Sequence, residues 1–540
     1  MSLQFITGNS GNGKTKYLFN RIVKEAKANP RDNYLVIVPE QFTMQTQRQL
    51  VDLSENKAIM NIDVLSFKRL AYRVFDELGI TNLTVLEETG KNLVLRKLAA
   101  QEADKLGVIG RNLNRIGYIS EVKSLLSELV QYNISPEELG RYIASGRLSD
   151  TLSDKLKDVL VLYEAFEKFM QDKYITAEEI LNVLSNVAEE SAILRNSVIA
   201  FDEFTGFTPI QNQLIKKLFV ISKKIYVTLT IDCREDIFKS RGMQELFDMP
   251  KRTVKSLTEM AAFYGIEVEE PIILDKNYRL AENEELSFME QQLFRKRRCS
   301  FEKVPKHIHI DCLRDPKQEL TKIARRINEL VRNENLRYRD IAIVTGDVNI
   351  YAGYVREIFD KYNIPYFIDA TQEILFHPFI EFIRSIPDIA AQNFSADAVF
   401  RFLRCGFSEL LDSEIDVLEN YVLACGVRGK SAWDKKWVRL PKHKAGYDLE
   451  LLNQSREYIM ELLKPVYQVF SDKKSTVKDY VLAIYKLIVL LDIPDKLAKK
   501  EQALLDAGDQ TASKEYGQIY KIVTVSYTHL RAHETVLDLV

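Results

Sequence analysis

The sequence predicts an α/β protein, a parallel sheet covered by helices on both faces, carrying a phosphate-binding loop and interrupted by all-helical insertions. Three observations predict it. A short apolar strand, Leu3–Ile6, runs straight into Gly8-Asn9-Ser10-Gly11-Asn12-Gly13-Lys14-Thr15, which fits G-x-x-x-x-G-K-[ST]. Short β-branched apolar runs recur at 34–38, 61–66, 197–201 and 225–231, as strands buried on both faces require. Between them, residues 85–190 show almost no strand signal, only long amphipathic helical periodicity.

In the first element, glycines let the backbone turn tightly enough for successive N–H groups to converge on phosphate oxygens. Lys14 would reach the β- and γ-phosphates of a nucleotide, and the Thr15 hydroxyl would hold a magnesium ion. The following helix, with Leu18, Ile22 and Ala26 on one face, adds its N-terminal dipole to the anion site and ends at Asn29-Pro30. A plain glycine-rich turn would need neither the strand before it nor the helix after it. ATP and magnesium are the expected ligands, held across Gly8, Asn9, Ser10, Gly11, Asn12, Gly13, Lys14 and Thr15.

Composition narrows the class. At 540 residues the chain exceeds one core, and about three or four domains are expected. The content, 46% hydrophobic and 28% charged with a net charge of −2, offers no global basic field, so nucleic-acid contact must come from local patches. No run of about 18 apolar residues occurs and the N-terminus enters a strand, so a cytoplasmic protein without a membrane partner is expected. The five cysteines form no C-x-x-C pair and the six histidines are scattered, which argues against a disulfide framework or zinc site.

In chain order, the first α/β domain takes residues 1–84 and 191–290, split by a helical insertion at 85–190 in which Ile119, Val122, Leu125, Leu126 and Leu129 repeat at helical spacing. A second α/β unit begins over 291–385, with expected strands Ile308–Ile310, Ile341–Thr345 and Pro365–Ile368 around two helices. Residues 386–524 read as another helical insertion. From Val525 the last sixteen residues, 525–540, match nothing before them and resemble a read-through tail, so the native sequence is expected to end near Thr524 within a domain.

A phosphate loop requires a carboxylate at the end of a neighbouring strand. Asp202, closing the run 197–201, occupies that place in Phe201-Asp202-Glu203-Phe204-Thr205-Gly206-Phe207-Thr208-Pro209-Ile210-Gln211. Asp202 would hold magnesium with Thr15, and Glu203 would orient or deprotonate the attacking water. The same pair would equally serve as a helix cap, since carboxylates favour helix N-termini.

This segment resembles motif II of superfamily 1 DNA helicases, and the order of parts agrees: phosphate-loop domain, helical insertion, Asp-Glu strand, second α/β domain. Leu274-Asp275-Lys276-Asn277-Tyr278-Arg279 resembles the Asn-Tyr-Arg motif at the entry to the second motor domain; by that resemblance Arg279 approaches the γ-phosphate. Within the superfamily the chain resembles the AddB/RexB family of bacterial helicase–nuclease subunits. The resemblance rests on Phe5–Thr15, Ile37-Val38-Pro39-Glu40-Gln41-Phe42-Thr43, Val64-Leu65-Ser66-Phe67 and Asp202–Phe207. It implies RecA-like motor domains of the P-loop NTPase fold, a larger AddA/RexA-type helicase–nuclease partner in a heterodimer, and DNA as substrate in double-strand-break repair. It also implies an iron–sulphur cluster and nuclease carboxylates in the full-length family member, beyond this chain. Two features depart from the superfamily: only seven residues precede Gly8, leaving no room for an adenine-reading glutamine motif, and Thr230-Ile231-Asp232-Cys233-Arg234 lacks the glutamine of motif III.

For DNA contacts, Pro39–Thr43 and Ser66–Lys68 occupy the strand-end loops that touch the backbone in such motors, or are simple βα turns. The basic run Arg295-Lys296-Arg297-Arg298 reads as a solvated linker. Trp433 and Trp437, bracketing Lys435 and Lys436, fit core packing better than base stacking. Two alternatives to a motor subunit are a nucleotide-gated DNA-binding scaffold and a stand-alone superfamily 1 translocase.

Overall fold

The structure is a computed structural model describing residues 1–540 apart from 81–84, 87, 111–115, 147, 172–173, 296–298, 370–373, 442–445, 473 and 538–540; side chains of 88–89, 116 and 525–537 also lie outside the described set. The chain divides into two compact units, Met1–Ile310 and Asp311–Val540.

In the first unit, β1 (Ser2–Gly8) leads through the glycine loop to α1 (Lys14–Ala28). Then come β2 (Tyr34–Ile37), α2 (Thr43–Leu53), β3 (Ile62–Leu65) and α3 (Phe67–Leu78). After the helices Glu88–Gln101, Ile116–Gln131, Pro136–Ala144, Asp150–Met170 and Ile180–Val187, the chain re-enters the sheet with β4 (Val198–Phe201). It continues through α4 (Pro209–Ile221), β5 (Lys224–Thr230), α5 (Asp248–Phe263), β6 (Glu267–Val268), β7 (Ile272–Leu274) and α6 (Glu284–Gln292).

The sheet is parallel, in the order β3-β2-β4-β5-β1-β6, with β7 also pairing with β1. Alternation decides which face each strand residue covers. Leu3, Phe5, Leu35, Ile37, Ile199, Phe201, Val227 and Leu229 face α3, α4 and α5. Ile6, Tyr34, Val36, Ala200 and Tyr226 face α1 and Leu50 of α2. Both faces are therefore dry, which is why these runs are continuously apolar. The four strand runs expected at 34–38, 61–66, 197–201 and 225–231 all pair; β6 and β7 carried too few residues to signal. The helices of 88–170 have a core of their own around Leu95, Val122, Leu126, Leu162 and Tyr163.

The second unit holds α7 (Pro316–Asn333) and α8 (Val348–Lys361), packed through Leu320, Ala324, Ile327, Ile358 and Phe359. Here one expectation is corrected. Segments 308–310, 341–345 and 365–368 form no ladder, although their apolar runs predicted strands. Val344 and Phe367 are 93% and 88% exposed: α7 and α8 cover only one side of the segments they flank, and among the described residues no neighbouring strand satisfies their backbone. The remainder, from Pro378 on, is helical around a large aromatic core. The last helix, Gln510–Leu537, includes much of the tail expected to be foreign, whose side chains lie outside the described residues. Among the described residues no helix is long and apolar enough to cross a membrane.

Candidate functional site: a glycine loop facing two carboxylates

The loop from β1 to α1 is shaped by close approach. A Cβ at Gly8 would stand 2.6 Å from the Leu274 carbonyl oxygen, so β7 lies too near for any side chain there. Gly11 and Gly13 sit at φ 87° and 79°, conformations costly to other residues, and Gly13 caps α1. Asn12 donates to the Leu274 carbonyl at 2.6 Å. The Asn277-Tyr278-Arg279 turn is fastened to the same loop: Asn277 Nδ2 donates to Ser10 O and the Tyr278 N–H to Gly11 O, each at 3.0 Å.

Lys14 Nζ folds back onto the carbonyls of Gly8 and Asn9, at 3.0 and 2.9 Å. Burial pushes its ammonium below the ordinary lysine value; Glu203 and Asp202 oppose the shift and Arg279 adds to it. Across from it, the Thr15 hydroxyl stands 3.3 Å from both Asp202 Oδ1 and Glu203 Oε1. Asp202 is 1% exposed, so burial raises its carboxyl above the usual range; the Thr228 hydroxyl, which donates to Oδ1, works against the rise, and Glu203 works with it. Its Oδ2 is buried without a hydrogen-bond partner among the described residues, an acceptor left open.

The Glu203 backbone lies at φ 64°, uncommon for a residue with a Cβ, and the surrounding structure holds it there. Phe201, Phe204 and Phe207 form an aromatic cluster with Phe67, with Phe204 and Phe207 centroids 5.3 Å apart. A capping box of Thr208 and Gln211 then starts α4. The helix-cap reading of Asp202 and Glu203 is therefore not what the geometry shows: Thr208 caps the helix, and the two carboxylates face Thr15.

The structure thus brings together Gly8–Thr15, Asp202, Glu203 and the backbone and Cβ of Arg279. Sequence reasoning missed a second network. The Asn9 amide accepts from the Cys233 N–H and donates to Glu290 Oε1, both at 2.9 Å. Arg295 Nε bonds Asp232 Oδ2 at 3.0 Å, and Arg234 grips the same carboxylate. Although burial opposes it, these arginines hold Asp232 well below the usual carboxylate range. Arg295 is thus a fixed ion-pair partner rather than a solvated linker residue, while Lys296–Arg298 lie outside the described residues. Asn9 showed only as a variable loop position, so no local pattern marks this contact. The strand-end loops 39–43 and 66–68 meet through Glu40, which accepts from Ser66 Oγ at 2.7 Å and Arg69 Nε at 3.2 Å. Trp433 and Trp437 are buried, with centroids 5.3 Å apart, in the core rather than at a stacking surface.

A parallel sheet with a glycine loop at one strand end and paired carboxylates at the next but one defines an α/β protein with a loop-and-carboxylate cluster at the carboxyl edge of its sheet. The family described as "ADDB, N-terminal" matches residues 5–290, and the chain belongs to the AddB family. It is 38% identical over 533 residues to the B-type subunit of the ATP-dependent helicase/deoxyribonuclease of Lachnoclostridium phytofermentans, covering 97% of this chain and 46% of that protein. Proteins of the same description from Caldanaerobacter subterraneus and Clostridioides difficile are each 32% identical, over 535 and 537 residues, again with 97% and 46% coverage. The chain spans less than half the length of these curated relatives.

Proposed function

We propose that the chain is the ATP-binding, DNA-binding part of a heterodimeric helicase–exonuclease subunit that processes DNA double-strand breaks for recombination. In this reading residues 1–84 and 191–290 form a RecA-like motor domain, and a larger AddA/RexA-type subunit is the partner. One observation carries the nucleotide assignment: the Thr15 hydroxyl lies within 3.3 Å of both Asp202 and Glu203, beside a glycine loop whose lysine is close by. The unpartnered Asp202 Oδ2 and the positive-φ glycines fit a magnesium–phosphate group.

ATP with magnesium would supply a phosphoanhydride bond for hydrolysis. Gly8, Asn9, Ser10, Gly11, Asn12 and Gly13 would bind its phosphates through backbone N–H groups. Lys14 would leave the Gly8 and Asn9 carbonyls to neutralise phosphate charge. Thr15 and Asp202 would hold the metal. Glu203, exposed and set by its backbone toward the loop, would orient water and accept its proton, and Arg279 would stabilise charge on the transferring group. The joined loops at Pro39–Thr43 and Ser66–Lys68 would contact the DNA backbone.

A nucleotide-gated scaffold is the second reading, favoured by the loop after β5. Asp232 there is occupied by Arg234 and Arg295, so no free side chain of that residue reports on the nucleotide. Titrating the full chain with a fluorescent ATP analogue and magnesium tests the site: Lys14→Ala should abolish binding, and equal affinity in both proteins would remove the assignment. DNA-stimulated phosphate release, lost in Glu203→Gln, would separate motor from scaffold.

A further inference from the structure

In the second unit, residues 428–444 hold seven lysines and arginines against one aspartate, in a chain whose net charge is −2. The middle of this stretch is a strap, 435–440, that follows the short helix Lys430–Asp434 without regular secondary structure. Its position is fixed from beneath. Trp433 is fully buried and Trp437 is 6% exposed, and the Trp437 indole N–H donates to the Ala432 carbonyl at 3.0 Å.

Polar side chains of the core then pin the strap's backbone. Asn453 accepts from the Trp437 N–H at 2.8 Å and donates to the Trp437 carbonyl at 2.9 Å, as a neighbouring strand would. Arg456 Nη1 donates to the Trp433 carbonyl at 2.8 Å, and the Tyr421 hydroxyl donates to the Arg439 carbonyl at 2.7 Å. With the backbone held on this side, Lys435, Lys436 and Arg439 point into solvent, as does Arg428 nearby. Among the described residues none of these four has a carboxylate partner, whereas Lys430 pairs with Asp434 at 2.6 Å.

We propose that this tryptophan-anchored strap is a docking surface for the phosphodiester backbone of nucleic acid, with Lys435, Lys436 and Arg439 as its phosphate contacts. The inference rests on the DNA-binding part of the proposed function and assigns it a second contact, in the second unit. Three unpaired cations within five residues match a repeating line of phosphates. Both indoles face the core, so the strap offers no aromatic platform for bases, and the contact is blind to sequence. Ordering the strap beforehand removes the entropy that loose lysines would lose on binding.

The test is fluorescence anisotropy of the full chain with single-stranded and duplex oligonucleotides over a range of salt concentrations. The variant is Lys435→Gln/Lys436→Gln/Arg439→Gln, with Lys499→Gln/Lys500→Gln as an exposed-cation control. Each phosphate contact contributes about 0.9 to the log–log salt slope on duplex DNA, so the triple variant should lose about 2–3 from the slope and about tenfold or more in affinity near 0.1 M salt. The loss should be equal across sequences, with the control unchanged and fluorescent-ATP affinity retained. DNA binding by the wild type with an unchanged slope in the triple variant would overturn the strap alone. No DNA binding by the wild type would overturn the strap and the DNA-binding reading together, leaving the nucleotide site standing. Loss of binding to polyglutamate with DNA binding intact would assign the strap to an acidic protein instead.

Discussion

Replacing Asn9 by alanine should loosen the glycine loop from two sides at once. Asn9 is 5% exposed, and its amide is the joint between the loop, the Cys233 backbone and Glu290. Alanine leaves the Cys233 N–H without its acceptor, at about 1–2 kcal/mol for a mostly buried donor, and takes a donor from a carboxylate, worth about 1–2 kcal/mol more. The sum is about 2–4 kcal/mol. Spread over the 310 residues of the first unit, at about 2.1 cal/mol/K per residue, the unfolding entropy is about 650 cal/mol/K, so Tm should fall by about 3–6 °C. Calorimetry of the full chain gives the number. A double-mutant cycle with Glu290→Ala isolates the shared bond, with an expected coupling of about 0.5–2 kcal/mol. An unchanged Tm for Asn9→Ala, or strict additivity of the two substitutions, would refute the proposition that this amide braces the loop.

Two further outcomes follow from the ionisable groups. Burial raises the Asp202 carboxyl, so the folded state holds its proton more tightly than the unfolded one, and stability falls as pH rises from the ordinary aspartate range through the raised value. Asp202→Asn should therefore raise Tm at neutral pH while weakening magnesium-dependent nucleotide binding; a lowered Tm would contradict the buried-charge argument. His377 is buried against Tyr516, its Nδ1 accepting from the Phe379 N–H and its Nε2 without a partner among the described residues, and burial lowers its pKa. Above about pH 6.5 it is neutral folded or unfolded and contributes nothing; below that the unfolded chain takes up the proton first, so stability is lost as pH falls. Urea titrations between pH 7.5 and 5 should show a slope that His377→Gln reduces, and equal slopes would sink the assignment.

Residues close in sequence left the clearest marks. The strand–loop–helix at Leu3–Ala28 was legible because glycine, lysine and threonine act within eight residues, and β2, β4 and β5 because a strand buried on both faces must be apolar throughout. Asp202 and Glu203 were legible as a pair at a strand end, with two possible uses. Tertiary structure set where they sit, because only the pairing of β4 beside β5, and β5 beside β1, carries those carboxylates to Thr15 across 187 and 188 positions of sequence. The same holds for Asn9 with Glu290, 281 residues apart, and for Arg295 with Asp232, whose charges carry no local signature of their partner.

Where the chain supplied apolar runs without neighbours, at 341–345 and 365–368, periodicity predicted strands that the structure does not pair. A strand exists only in its ladder, so its sequence signals the need for burial and not the presence of a partner. The tryptophans show the converse. Four-residue spacing placed Trp433 and Trp437 together, but only the core around Asn453 and Arg456 determined that the indoles turn inward and the lysines between them outward. The sequence by itself therefore determined the glycine loop, the strand runs and the carboxylate pair, because these are written in contiguous residues. Which of them meet, and which charges remain free, was set by long-range packing, where each side chain takes the partner that burial leaves available.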